Sequence, residues 1–252
     1  MTKEQITEQI KKKLIAHRGL HDNQGDAPEN SLKAFQRAVD AGYGIELDLH
    51  LSKDGKVVVI HDGELDRVAG THALVRDLTA EQLQRYQLFS SEQTIPLFTD
   101  VLKIVAEKVP MVVELKVDTP NQYSQLCAAF DHIIKEYQGI YCIESFCPDV
   151  LKWYKKHRPD VVRGQLSCDM GRGTGIVDRF RRFRLTNMWA NLYTKPDFIA
   201  YEYRQADKKC VQYWKKHLHC TMAAWTIRSQ EAFEQAKPDF DIFIFDSFIP
   251  QA

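Results

Sequence analysis

Two carboxylates and a histidine lie close together in the stretch 44–62, which reads GIELDLHLSKDGKVVVIHD. Glu46 and Asp48 are two residues apart in a strand-like run, so the alternation of side chains along a strand places both on one face. Two carboxylates on an otherwise apolar strand are unfavourable unless a positive charge lies between them, and hard divalent cations bind carboxylate oxygens. His61 directly follows a β-branched run. Taken alone, this stretch fits a metal or catalytic site as well as it fits an edge strand followed by a loop histidine.

Further polar groups stand at or near the ends of other strand-like runs. His17 and Arg18 end the run LIAH, and Glu114 and Lys116 are two residues apart in MVVELKV. Trp225 lies in the run TMAAWTI. In a parallel barrel the active site lies at the carboxyl ends of the strands, and ionisable groups are seldom buried without partners. The joint pattern therefore favours one shared site, although each of these residues alone is more often structural.

The types of these side chains define the chemistry that they can perform. Three carboxylates, Glu46, Asp48 and Glu114, suit Ca²⁺ or Mg²⁺ with open positions for a substrate. An arginine offers a two-pronged donor for a phosphate, and a lysine adds a second positive charge. Two histidines can serve as a general acid and a general base near neutral pH. Such a set fits displacement at phosphorus, in which cations neutralise the diester and the histidines move protons.

Nine strand-like runs alternate with helical patterns along the 252 residues. This alternation predicts parallel β-α units, and the length suits one α/β barrel. Nine runs are one too many for an eightfold barrel, so the extra run is either the closing DIFIFD or part of the meander after Asp48. Residues 1–252 are expected to form a single catalytic domain, with residues 63–96 as an insertion between strand three and helix three.

Two further segments are expected to be helical. Asn30 is expected to cap the helix SLKAFQRAVDAG, whose apolar positions follow a helical period. The basic and aromatic segment from Asp178 to Tyr193 is also expected to be helical.

Charge and hydropathy exclude some classes of function. Lys plus Arg and Asp plus Glu number 34 each, and the zero net charge argues against nucleic acid as the main partner. Residues 1–13 lack the apolar core of a secretory signal, and no run approaches the roughly 20 apolar residues of a membrane span. We therefore expect a cytoplasmic protein without stable membrane insertion; a homodimer stays open.

With these residues in place, the sequence resembles the glycerophosphodiester phosphodiesterase family. The matching motifs are AHRG at 16–19, PENS at 28–31, IELDL at 45–49, KDGKVVVIHD at 53–62, ELK at 114–116, ESF at 144–146 and AAWTI at 223–227. The resemblance runs from about Leu14 to Pro250, and the ordered combination is specific while no single motif is. Two departures are Ser31, where the family usually has Thr, and the closing FDSFIP, which leaves the role of Asp246 open.

The resemblance implies a TIM-type (β/α)8 barrel with a small insertion after strand three. It also implies hydrolysis of small-molecule glycerophosphodiesters to sn-glycerol 3-phosphate and an alcohol, through a cyclic phosphate and with one divalent cation, Ca²⁺ or Mg²⁺. The implied roles are acid/base catalysis for His17 and His61, metal binding for Glu46, Asp48 and Glu114, phosphate binding for Arg18 and Lys116, support of the site for Glu29 and Asn30, and an apolar wall from Phe146 and Trp225.

Three other functions fit parts of the same pattern. A phospholipase-D-like or lysophospholipase-D-like enzyme would need an apolar or basic rim facing the lipid, which exposed aromatic side chains at Phe89, Phe98, Trp189 and Tyr193 could supply. A binding protein built on an inactive barrel is disfavoured because both histidines and all three carboxylates are present. A metal-dependent aldolase-type barrel would not need the paired histidines beside Arg18. The sequence does not indicate the headgroup, the ion or the oligomeric state.

Overall fold

A closed ring of parallel strands forms the centre of the molecule. The computed structural model describes residues 1–119, 121–171, 173–218 and 221–251. The nine strands are β1 (Ile15–Ala16), β2 (Gly44–Leu51), β3 (Val57–Val59), β4 (Met111–Leu115), β5 (Tyr141–Ser145), β6 (Arg163–Ser167), β7 (Phe198–Glu202), β8 (Thr221–Ile227) and β9 (Ile242–Phe245). They follow the order β1-β9-β8-β7-β6-β5-β4-β2-β3, and β1 also pairs with β2. Eight parallel strands thus close into the predicted α/β barrel, and β3 is left outside the ring.

Helices cover the outside of the barrel. The helices are α1 (Lys3–Lys11), α2 (Leu32–Asp40), α3 (Asp66–Ala69), α4 (Ala80–Leu83), α5 (Phe98–Val105), α6 (Tyr123–Ile134), α7 (Pro148–His157), α8 (Gly175–Thr186), α9 (Asn191–Thr194), α10 (Lys209–Leu218) and α11 (Gln230–Ala236), with 3₁₀ helices at Val75–Asp77 and Tyr203–Gln205. The predicted helix in the basic segment is confirmed as α8 and α9. Of the helices that the structure describes, none combines the length and the apolar character needed to cross a membrane.

The ninth strand explains how the chain brings His61 back to the barrel. Strand β2 continues past the ring and pairs antiparallel with β3, with Leu51 opposite Val57 and Leu49 opposite Val59. The extra run is therefore part of the meander after Asp48, which was one of the two options. His61 was predicted to follow a strand of the barrel. This prediction was wrong, because β3 lies outside the ring and runs antiparallel to the neighbouring barrel strand β2. A hairpin returns His61 to the same end instead.

The two faces of the barrel strands bury different layers. Ile45, Leu47 and Leu49 of β2 pack outward in the large apolar core shared with the helices. A smaller inner cluster fills the barrel and includes Ile15 of β1 and Ile10, which α1 contributes from outside the sheet. The alternation predicted for β2 therefore holds, and the opposite face of the strand remains available for polar groups.

Residues 63–96 form a small polar segment with its own apolar centre. The segment carries α3, one 3₁₀ helix and α4. Its apolar cluster packs against Val58 of β3 and the following Ile60, and it includes Leu65, Val68 and Leu83. That packing supports the proposal that the segment is an insertion on a single catalytic domain, which stays a prediction.

The helix after the PENS motif begins one residue later than predicted. Ser31 caps α2, and its side chain accepts a hydrogen bond from the backbone N–H of Ala34. Asn30 instead has a φ of +58°, a left-handed conformation that asparagine tolerates better than most residues. The assignment of Asn30 as the cap was wrong because its side chain is used elsewhere, as the site shows.

Candidate active site

Carboxylates line the inner face of three neighbouring strands near one end of the barrel. Asp48 of β2 is in register with Glu114 of β4, and Glu114 is in register with Glu144 of β5. Glu46 lies two residues before Asp48 on the same face. Oxygen atoms of Glu46, Asp48 and Glu114 all lie within 4.8 Å of one another, and all three residues are buried. The structure thus brings together the three carboxylates that the sequence singled out as metal ligands.

The cluster is electrostatically unfavourable without added positive charge. Burial, with the charges of Asp48 and Glu144, raises the pKa of Glu46 well above its usual range. Burial also raises the pKa of Glu114 to about 7. Burial alone would raise the pKa of Asp48 as well, but Lys116 and Arg18 hold it well below its usual range. Like charges in a site without water disfavour the ionised form of the carboxyl groups. Binding of a cation among them would therefore be strongly favourable.

The oxygens of the cluster fit a hard divalent cation. Within the described residues, Asp48 Oδ1 and Glu144 Oε2 are buried without a hydrogen bond. Lys116 Nζ lies 3.1 Å from Asp48 Oδ1, without the angle of a hydrogen bond. Several converging carboxylate oxygens, with acceptors unused, are the donor set that Ca²⁺ and Mg²⁺ prefer. The donor chemistry therefore fits a divalent cation and leaves its identity undecided.

Two cationic side chains border the carboxylates. Lys116 Nζ lies 2.7 Å from Glu114 Oε2. Arg18 donates from Nη1 to Glu29 Oε1 at 2.7 Å, and its Nε lies 3.4 Å from Asp48 Oδ2. Both cations are therefore paired with carboxylates at the site. Their role in binding a phosphate remains a prediction.

His17 is held by a carboxylate that the sequence left without a role. Its Nδ1 lies 3.0 Å from Asp246 Oδ2, and its Nε2 points toward Glu46 at 3.9 Å. Arg228 Nε and the Ser247 hydroxyl donate to the other oxygen of Asp246. Burial lowers the pKa of His17 to about 4. A neutral His17 that donates from Nδ1 to Asp246 therefore carries its free lone pair on Nε2, facing the cluster.

His61 has an analogous carboxylate partner. Its Nδ1 lies 2.6 Å from Asp62 Oδ1, and Arg67 Nε donates to Asp62 Oδ2 at 2.6 Å. Arg67 also makes two hydrogen bonds to Glu29, at 2.7 and 2.9 Å. Burial lowers the pKa of His61 below its usual value, although the side chain is only partly buried. Each histidine thus presents Nε2 while a carboxylate orients Nδ1.

The PEN motif connects these groups. Glu29 joins Arg18 to Arg67, and its backbone N–H donates to Asn23 Oδ1 at 2.8 Å. Asn30 Nδ2 donates to Asp48 Oδ2 at 2.9 Å. Glu29 and Asn30 therefore contact the side chains of the site directly, and their supporting role stays a prediction.

Gly19 holds the backbone that carries His17 and Arg18, and we expect its replacement to disturb the site. Its φ is +81°, and a Cβ there would lie 2.8 Å from the carbonyl carbon of Ala34. Gly19→Ala adds overpacking, which costs about 1–3 kcal/mol, to the cost of the left-handed backbone. Gly55→Ala is the matched control, because its φ is +76° with no atom within 4 Å of the added Cβ. Urea unfolding of both variants measures the difference; equal losses of unfolding free energy would contradict this account.

A groove and a smaller pocket open beside the cluster. The groove has a volume of about 1070 Å³ and is lined by Glu114, Lys116 and His61 near the cluster and by Arg181 of α8 farther away. The pocket has a volume of about 370 Å³ and is lined by both histidines and Arg18, among others. His61 borders both spaces, so the groove and the pocket open next to each other at the cluster.

The two predicted wall residues pack on each other. Phe146 lines the groove, and its ring meets that of Trp225 edge to face, with centroids 5.8 Å apart and planes at 87°. Both are partly buried against the inner core. The two side chains therefore form one apolar pair that reaches the groove through Phe146, and their role as a wall for the substrate stays a prediction.

Sequence reasoning missed several groups that orient the site. Asp62 and Glu144 lie inside motifs that were recognised, but they were assigned no role. Asp246 was noticed and left open. Arg67 and Arg228 lie in segments without a pattern, and only the folded chain brings them to Asp62 and Asp246.

Comparison with known proteins gives the family. The model of the glycerophosphoryl diester phosphodiesterase family matches residues 17–170. A glycerophosphodiester phosphodiesterase of Bacillus altitudinis is 38% identical over 170 residues, which are 63% of this chain and 67% of the relative. Another, of Caldanaerobacter subterraneus subsp. tengcongensis, is 36% identical over 198 residues, which are 73% of this chain and 78% of the relative.

A solved structure shares the fold. The structure of an Oleispira antarctica phosphodiesterase in complex with the product sn-glycerol-3-phosphate aligns with a TM-score of 0.74 at 22% identity. The alignment covers 93% of this chain and 92% of that one. The family model and the two relatives place the chain among the phosphodiester-cleaving enzymes. The chain belongs to the glycerophosphoryl diester phosphodiesterase family.

Proposed function

We propose that this enzyme hydrolyses glycerophosphodiesters to sn-glycerol 3-phosphate and an alcohol, with one divalent cation, Ca²⁺ or Mg²⁺, held by Glu46, Asp48 and Glu114. The observation that carries the proposal is the buried carboxylate cluster beside His17 and His61, each of which is oriented by its own carboxylate. A bound cation would polarise the phosphoryl oxygens and neutralise part of the diester charge.

The histidines move the protons in two displacements at phosphorus. His17 Nε2 takes the proton of a neighbouring glycerol hydroxyl, whose oxygen then bonds to phosphorus. The bond from phosphorus to the alcohol oxygen breaks, and protonated His61 gives its proton to that oxygen. Water opens the resulting cyclic phosphate, with the histidines in exchanged roles. Asp246 and Asp62 keep Nδ1 of each ring as the donor, so that Nε2 faces the reaction.

The side chains around the carboxylate cluster bind the diester. Arg18 and Lys116 lie beside Asp48 and offer positive charge to the phosphate oxygens. Phe146 lines the groove with the Trp225 ring packed on it edge to face, and this apolar pair would exclude water from the glycerol or the headgroup.

A phospholipase-D-like or lysophospholipase-D-like activity is the second candidate. Trp189 and Tyr193 are exposed, as a lipid-facing rim requires. Phe98 was expected to be exposed as well, and this was wrong because it is fully buried as the first residue of α5. Phe89 is partly exposed and lies beneath Arg67 rather than at a free rim.

A substrate panel tests the proposed function and separates the two candidates. We expect glycerophosphocholine, glycerophosphoethanolamine and glycerophosphoglycerol to release glycerol 3-phosphate, since the polar pocket beside the two histidines, of about 370 Å³, has room for a compact polar diester. Lysolipids are assayed in parallel for release of lysophosphatidate. Turnover of lysolipids alone would favour the second candidate, and turnover of neither class would reject the proposal. A cytoplasmic location and a homodimer stay predictions.

A further inference from the structure

One helix beside the groove carries an unusual concentration of exposed apolar groups. Within the described residues, ten large apolar side chains are exposed, and seven of them fall between 176 and 193: Ile176, Val177, Phe180, Phe183, Trp189, Leu192 and Tyr193. None of the 12 residues of α8, all of them described, is buried. Contiguous apolar exposure of this kind marks an interaction surface rather than an ordinary protein surface.

Three of these apolar groups form one stripe on α8. Ile176, Phe180 and Phe183 follow the spacing i, i+4, i+7, which places them on one face of a helix. They are 85%, 53% and 50% exposed. Trp189 extends the stripe, since its ring meets that of Phe183 edge to face with centroids 5.5 Å apart. We call these four side chains the α8 patch.

Positive charge accompanies the patch. Helix α8 contains Arg179, Arg181, Arg182 and Arg184 against a single acidic residue, Asp178, which Arg182 binds at 3.0 Å. By helical spacing Arg179 and Arg184 flank the stripe, and Arg184 lies over the Phe180 ring at 5.8 Å. The surface is therefore apolar along its centre and cationic along its edges.

The apolar centre and the cationic edges of the patch favour an anionic partner over a second copy of the chain. A twofold dimer would place the patch against its own copy, and the arginines would then face one another. An anionic partner avoids this repulsion. Helices with apolar aromatic residues on one face and arginines beside them bind the interface of anionic bilayers, where the apolar face sinks below the headgroups.

We propose that α8 is an interfacial helix that seats the enzyme on an anionic phospholipid surface through the α8 patch, with Arg179 and Arg184 on the lipid phosphates. The opposite face of the helix contributes Arg181 and Leu185 to the groove. Membrane binding through the α8 patch therefore places the open side of the groove beside the lipid headgroups. The helix is secured to the barrel near its end, where Ser167 Oγ donates to the Leu185 carbonyl at 2.9 Å.

Vesicle sedimentation measures membrane binding and needs no substrate turnover. A failure to bind vesicles would therefore reject the membrane surface and would not bear on the proposed hydrolysis. We expect the protein to bind vesicles of equal parts phosphatidylglycerol and phosphatidylcholine, and to bind phosphatidylcholine vesicles much more weakly. The double variant Phe180→Ser/Phe183→Ser should lose at least about tenfold in partitioning. Arg179→Gln/Arg184→Gln should lose about fivefold for each arginine, and added salt should weaken wild-type binding.

Matched controls keep the test specific. Tyr213→Ser removes an aromatic residue that is 51% exposed on α10, and Arg85→Gln removes an exposed arginine two residues after the end of α4. Both should bind vesicles as the wild type does. Equal binding to the two vesicle types, or no loss in the α8 variants, would overturn the proposal. So would a dimer that Phe180→Ser/Phe183→Ser dissociates, or an acidic protein bound there while vesicles are not.

Discussion

The variant His17→Ala is expected to lower kcat/KM for a glycerophosphodiester by about 10²- to 10⁴-fold, which is the range of a lost general base. The reason is geometric: His17 Nδ1 is engaged by Asp246 at 3.0 Å, so the free lone pair on Nε2 faces the carboxylate cluster. Release of glycerol 3-phosphate, with saturating cation, measures the effect. Circular dichroism checks that the variant is folded.

Two further variants separate proton transfer from simple packing. Asp246→Asn keeps the shape of the side chain but can no longer favour the Nδ1–H tautomer, so kcat should fall while KM changes little. His72→Ala is the control, because His72 is exposed and bonds only Asp66 among the described residues. Near-normal kcat in His17→Ala would contradict the assignment of the base.

Replacing Glu46 by glutamine is expected to weaken divalent-cation binding by roughly a hundredfold or more, because even groups behind the ligands change metal affinity by 10- to 100-fold. The same change should raise the melting temperature of the cation-free protein. Burial and the charge of Asp48 oppose ionisation of Glu46, so a neutral side chain relieves repulsion. Calorimetric titration with Ca²⁺ and Mg²⁺ and thermal unfolding measure the two effects.

Asp48→Asn provides the contrast to Glu46→Gln. Asp48 lies beside Lys116 and Arg18 and accepts a hydrogen bond from Asn30, so its neutralisation removes one of the carboxylate partners of each of these buried cations. The cation-free Asp48→Asn protein should therefore be less stable than the wild type. Glu231→Gln on α11 serves as the exposed control. Unchanged cation affinity in Glu46→Gln would contradict the metal site.

Local pattern was enough to predict the carboxylate cluster. Alternation along β2 and β4 places Glu46, Asp48 and Glu114 on the inner face, and the parallel register sets Asp48 beside Glu114. A barrel brings the carboxyl ends of its strands together, so His17 could also be assigned to this mouth. Each of these inferences needs only the period of a strand and the direction of the sheet.

Contacts between distant segments could not be predicted in this way. His17 and Asp246 are separated by 229 positions, and no periodicity tells which carboxylate meets which histidine. Arg67 belongs to the polar segment 63–96, whose path depends on its own small apolar cluster. The route of His61 was also mistaken, because a run of β-branched residues does not indicate whether a strand joins the barrel or turns back beside it.

The most direct test of the account is release of sn-glycerol 3-phosphate from glycerophosphocholine by exhaustively chelated protein, before and after Ca²⁺ or Mg²⁺ is added. The account predicts no release from the chelated protein, because the diester then faces a buried cluster of carboxylates without a cation. Added cation should restore release in the wild type and much less in Glu46→Gln. Full release after chelation, or none with either cation, would contradict it.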